Sequence, residues 1–235
     1  MAFSGTDFGS PENGEGGEAV DSGLGTTIDL STGTEINTGL KGGSTSLGAS
    51  STLQAAAAHG NIDSGLDAYC NFVNIGELPD NGQRTLSVTL EVETLPTEDP
   101  NGNSSLLIII SPIPRLENAR GYGFGVMRTA TGSGTNKATS AVSRFGGNPA
   151  AGTELTGTPV RSTLTAVFDQ DGEAMVAGVG IARGNDSGFT DATTTQNVDA
   201  ETFSDVYVGV SMTQAAASPS TVVTWSGVSL TYSWT

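Results

Sequence analysis

Cysteine is nearly missing from this sequence, with Cys70 alone among 235 residues. A single thiol closes no internal disulfide and builds no thiolate metal cluster, so its expected place is a strand core, as a small inert hydrophobe. Histidine is equally scarce. Zinc takes several His or Cys ligands, and a serine nucleophile needs a positioned imidazole, so His59 alone supports neither. It stands beside the alanines 55–58, and no G-x-S-x-G elbow occurs anywhere in the chain. Basic charge is also short: nine Lys and Arg stand against 25 Asp and Glu, a net charge of −16. Phosphate backbones and anionic lipid heads are bound through clustered Lys and Arg, so neither nucleic acid nor a membrane surface is expected as a partner. No apolar run approaches the eighteen residues of a membrane span, and Met1 to Gly5 lack a basic stretch leading into an apolar one. A soluble chain made in the cytoplasm without a signal peptide is expected.

What the sequence does contain is glycine, serine and threonine. Over residues 1–60 these alternate with acids, and Lys41 is the only basic residue before Arg84. Isolated apolar residues such as Val20, Leu24, Ile28, Leu30 and Ile36 bury too little area to offset the ordering of their own backbone. This stretch is therefore expected to be an extended acidic arm that orders only against another surface. Within it, Leu53 and the alanines 55–58, capped by Ser50 or Ser51 and stopped by Gly60, predict a short helix over 51–59.

From Leu66 the apolar residues recur with period two, the mark of strands with one buried face. Over 84–93, Leu86, Val88, Leu90 and Val92 share one face, with Thr85, Ser87, Thr89, Glu91 and Glu93 on the other, read as a solvated row. Residues 106–110 are continuously apolar and predict a strand covered on both faces, ended by Pro112 and Pro114. Tyr122, Phe124 and Val126 alternate with Gly121, Gly123 and Gly125, which predicts packing on a neighbouring sheet. Further strands are expected at 138–145, 163–168, 174–181 and 206–212. Between them stand turn sequences such as Pro79-Asp80-Asn81-Gly82 and Gly146-Gly147-Asn148-Pro149. In the last strand Val223 and Trp225 are odd while Val228, Leu230, Tyr232 and Trp234 are even, a phase break that predicts a bulge at Gly227 with apolar weight on both faces.

About nine strands without alternating helices predict an all-β antiparallel sandwich over residues 66–235. The stretches Thr163-Leu164-Thr165-Ala166-Val167-Phe168-Asp169-Gln170-Asp171-Gly172, Asp205-Val206-Tyr207-Val208-Gly209-Val210-Ser211 and Val228-Ser229-Leu230-Thr231-Tyr232-Ser233-Trp234 resemble the concanavalin A-like jelly roll, including its laminin-G and lectin-type members. Some glycosidases of that family carry their nucleophile and acid on one strand, in a form like E-x-D-x-x-E. Here Glu91-Val92-Glu93 is followed by Thr94, Leu95 and Pro96, which removes the second partner. No catalytic residue is assigned, and the chain is expected not to be an enzyme.

No cofactor or metal is expected; calcium is the one with candidate ligands at all, Asp169 and Asp171 flanking a turn whose D-x-D-G sequence is equally good hairpin chemistry. Asn185, Asp186 and Asp191 gather in a polar loop and are the candidate ligand-binding residues. By type, an acidic arm joined to a small-residue sandwich resembles a structural protein of a tailed-virus (bacteriophage) particle, a capsid decoration or head-fibre protein. The resemblance implies location in the virion, docking of the arm on the major capsid protein or another virion protein, and homo-oligomerisation. The competing expectation is a carbohydrate- or receptor-binding module that contacts a surface glycan through the loop at 185–195.

Overall fold

Alternation carries directly into paired strands. The computed structural model describes residues 25–37, 44–46, 48–56, 69–78, 84–98, 103–114, 121–129, 134–139, 142–143, 151–186, 188–191, 200–214 and 222–235. In chain order the strands are β1 Thr26–Ile28, β2 Thr34–Asn37, β3 Ser44–Ser46, β4 Ser51–Ala56, β5 Tyr69–Glu77, β6 Arg84–Thr94, β7 Ser104–Ser111, β8 Tyr122–Arg128 and β9 Asn136–Thr139. They continue as β10 Val142–Ser143, β11 Ala151–Glu154, β12 Val160–Phe168, β13 Glu173–Arg183, β14 Thr190–Asp191, β15 Glu201–Thr202, β16 Asp205–Gln214 and β17 Val222–Trp234. One sheet has the order β14-β13-β12-β6-β17-β4-β3, with β1 also on β17 and β15 on β13. The other has the order β11-β9-β8-β7-β16-β5-β2, with β10 on β8. The pairings are antiparallel throughout. The fold is the expected all-β antiparallel sandwich of two sheets.

The core lies between the sheets. From the first come Leu86, Val88, Leu90 and Val92 of β6, Leu164 and Phe168 of β12, and Trp225 and Leu230 of β17. From the second come Leu106, Ile108 and Ile110 of β7, Phe124 of β8 and Val208 and Val210 of β16. Phe203 joins the layers, 5.1 Å from the Phe168 ring and 6.2 Å from that of Tyr122, whose hydroxyl donates to the Ala174 carbonyl across the sandwich. The strand β7 is buried along its whole length, as its apolar run predicts. Its Ile109 packs with Cys70 and Phe72 in a separate small cluster, so the thiol is buried as expected.

Two expectations for the N-terminal stretch are corrected. Residues 51–56 form β4 instead of a helix: Val222, Val223, Thr224 and Trp225 pair with Ala56, Ala55, Gln54 and Leu53. Alanine's helix preference is worth only tenths of a kcal/mol per residue over most alternatives, less than a ladder of backbone bonds in a sheet. Residues 57–59, with His59, lie outside the described residues, as do 1–24. The described part of 1–60 does not stand apart as an arm. β1 pairs with β17 and β2 with β5, while Ile28 and Leu30 enter the core. Asn71 of β5 fastens this segment by donating from Nδ2 to the Leu30 carbonyl at 3.1 Å, both groups buried.

The phase break in β17 is a bulge. Trp225 faces Leu53 and Val228 faces Ser51, with Gly227 between them at φ 63°. A positive φ suits glycine, which has no Cβ to clash. The apolar weight falls on one face, however, not both: Val223, Trp225, Val228 and Leu230 are all fully buried. The extra residue absorbs the change of parity and returns Val228 and Leu230 to the core beside Trp225.

Trp225→Ala should lower the unfolding free energy by about 3–5 kcal/mol in denaturant titrations. Trp225→Phe should cost less, because the indole Nε1 is buried without a hydrogen-bond partner and that desolvation is relieved. Tyr232, packed against the core, has its phenol pushed above the ordinary value of 10 by burial, opposed by a hydrogen bond with Thr26. A raised folded value means stability that is present below pH 10 and lost as pH climbs through the folded value. Alkaline melts of Tyr232→Phe should fall less steeply above pH 10 than those of the parent.

Candidate functional site

The outer face of the first sheet is built from the polar half of the alternation. Three neighbouring strands, β12, β6 and β17, place their outward residues in register. Thr163, Thr89 and Thr231 form one rung, Thr165, Ser87 and Ser233 a second, and Arg161, Glu91 and Ser229 a third. Neighbouring strand backbones lie about 4.8 Å apart across a rung, and two residues of rise set the rungs about 6.7 Å apart. Thr89 Oγ1 donates to Thr163 Oγ1 at 3.4 Å, Thr163 Oγ1 donates to the Val88 carbonyl at 3.3 Å, and the Ser87 and Thr165 hydroxyls lie 3.3 Å apart. A hydroxyl carries one donor and two acceptor positions, so these contacts leave capacity for a ligand.

One long side of this floor has a wall. β13 lies beside β12, and Gly180 pairs with both Thr163 and Asp191. Phe189, exposed by 44%, sits on Gly180, where an added Cβ would come within 2.8 Å of the phenylalanine Cβ. The turn between β13 and β14 is shaped by Asp186. Its Oδ2 accepts from the Arg183 amide at 2.8 Å and pairs with the Arg183 guanidinium at 3.9 Å. The Asp186 carbonyl accepts from Arg161 Nη2 at 2.8 Å, so a floor residue grips the wall. The Arg161 guanidinium carbon lies 5.9 Å from the centre of the Phe189 ring, and its Nε is buried without a hydrogen-bond partner. Together these residues bound a groove of about 480 Å³, within the range of small-molecule sites. Chemically it offers rows of hydroxyls, one carboxylate, one guanidinium and one aromatic face.

The residues expected from sequence fare unevenly. Asp186 is at the site but acts through its turn, and Asn185 is exposed beside it. Asp191 pairs with Gly180 in β14, and its side chain is outside the described part. Asp169 shapes the hairpin: its Oδ1 accepts from the amides of Asp171 and Glu173, both at 2.9 Å. Asp171 borders a shallow second hollow with Glu77, Phe203 and Asp205. Among the described residues no group of three or more His, Cys, Asp or Glu is placed to hold a metal ion. Glu91 and Glu93 flank the buried Val92 on the outer face, as alternation requires, but Glu91 belongs to the groove floor. Sequence reasoning missed Phe189 and took the hydroxyl row for plain solvated surface. The available signal was an aromatic inside the polar run Gly184-Asn185-Asp186-Ser187-Gly188-Phe189.

No family model matches the chain, and no curated protein matches it. Solved structures do. A legume lectin-like domain from Entamoeba histolytica is 12% identical, with 87% of this chain and 90% of that one covered at a TM-score of 0.40. Lectin II from Ulex europaeus is 9% identical, with 88% and 97% covered at 0.41. The alginate lyase PA1167 from Pseudomonas aeruginosa is 11% identical, with 88% and 98% covered at 0.40. These are likenesses of fold alone. They correct one expectation all the same, that the chain is not an enzyme: lyases and glycoside hydrolases stand among the neighbours, so this fold gives no ground for excluding catalysis.

Thr163→Val, nearly isosteric and on a half-exposed face, should leave the circular dichroism spectrum unchanged. It should shift stability by less than about 1.5 kcal/mol in urea titrations, the worth of a partly solvated hydrogen bond. A larger loss would make the rungs a structural network and not a free floor.

Proposed function

We propose that the chain is a carbohydrate-binding module and that it holds a glycan in the groove over β6, β12 and β17. The observation that carries this reading is the coincidence of three Ser/Thr-bearing rungs with one exposed aromatic ring on an open sheet face. Sugars present alternating hydroxyls and apolar C–H faces. Hydroxyl rows exchange hydrogen bonds with the former at little net cost, and an aromatic ring with a fixed face covers the latter. Glu91 adds an acceptor, and Arg161, already held by the Asp186 carbonyl, adds a preorganised donor. A patch selected only for solubility has no need of Phe189 in the open. The virus-particle reading rests on the acidic, low-complexity N-terminal stretch and draws nothing from this groove, so the glycan reading is preferred.

Binding of the full chain to a glycan array, followed by titration of the hits, tests the proposal. Phe189→Ala should weaken the best hit about tenfold, or about 1.4 kcal/mol, in keeping with one lost aromatic contact. Its melting temperature should barely move, because the ring is exposed. Unchanged affinity in Phe189→Ala would place the glycan elsewhere; an array without hits would remove the reading.

A further inference from the structure

Resting on the glycan reading, we infer that the groove is read lengthwise: it takes an internal stretch of a neutral, linear glycan laid parallel to β6, β12 and β17. The repeat of the floor is the first ground. Successive rungs present similar chemistry along the strands, Thr163-Thr89-Thr231 followed by Thr165-Ser87-Ser233, so a chain following the strands meets hydroxyls again at each step. The wall is the second. Phe189 over Gly180 rises along the β13 side, so a path across the strands runs into it and a path along them runs beside it.

The ends are the third ground. Past Glu91 the outward row of β6 continues to Glu93, which is exposed, and past Ser87 it continues to Thr85. Level with Thr85 lie Val167 and then Met175 of β13, 55% exposed. Among the described residues Met175 and Phe189 are the two exposed large apolar side chains, and both lie along the β13 side of this one face. They supply two apolar resting places for one chain, at separate points along its length.

Charge selects the neutral class. The groove holds one carboxylate, Glu91, and one guanidinium, Arg161, whereas the chain as a whole carries −16. A polyanionic glycan would be repelled by that field with no cluster of cations to receive it.

Isothermal titration of the full chain with cello-, xylo- and manno-oligosaccharides of one to six units, and with oligomannuronates as the charged series, tests this. Affinity for at least one neutral series should rise about tenfold or more between one and four units and then level off, while the charged series binds more weakly at low salt. Thr165→Val and Ser87→Ala, at the rung farthest from Arg161, should weaken the longer oligomers several-fold and leave the dimer nearly unaffected; melting curves confirm that both variants fold. Affinity independent of length, equal losses for dimer and hexamer, or preference for the charged series would overturn this inference and leave the carbohydrate reading intact. No binding by any series would remove both.

Discussion

Between Trp225 and Val228 strand β17 carries one residue more than β4 opposite it, and both faces of the first sheet depend on that excess. Side chains in a strand alternate with period two, so an uninterrupted β17 with Trp225 inside would turn Val228 and Leu230 outward. It would also drive Ser229, Thr231 and Ser233 into the core, where each unsatisfied hydroxyl costs about 1–3 kcal/mol. With Gly227 in the left-handed region the parity resets. Val228 and Leu230 rejoin Trp225 in the core, and the three hydroxyl residues line up with those of β6 and β12. The same bulge that completes the core therefore supplies one edge of the groove.

The N-terminal segment belongs to this arrangement. β17 is contacted along its far edge by β4 over one half and by β1 over the other, so residues from the early part of the chain flank a strand made of late ones. The buried bond from Asn71 to the Leu30 carbonyl fixes where the segment crosses to the second sheet, in which β2 lies on β5. Acidic and glycine-rich composition does not prevent this, because a few well-placed apolar residues, Ile28 and Leu30, dock onto a core assembled from the rest of the chain.

The wall of the groove depends on a chain of small requirements. Gly180 leaves room for Phe189, the Asp186 carboxylate shapes the turn that delivers it, and the Asp186 carbonyl ties that turn to Arg161 on the floor. None of these residues is unusual alone. Their juxtaposition converts a polar sheet face into a bounded site, and function resides in such grafted detail and not in the sandwich.

The alternation of Leu86, Val88, Leu90 and Val92, the doubly covered run around Ile108 and the odd-to-even shift about Gly227 were legible in the sequence, because burial on one or two faces writes itself into residue order. The alanines of β4 misled, since helix preference is local while their partners in β17 are remote in sequence. The groove was illegible for a related reason: Thr163, Thr89 and Thr231 are each an ordinary outward threonine until three strands come into register. By itself the sequence determined an all-β sandwich, because period-two burial is a one-dimensional property of each strand. Only the tertiary structure decided which outward residues share a rung and that Phe189 stands over them, because strand order and register are set by packing between segments far apart in the chain.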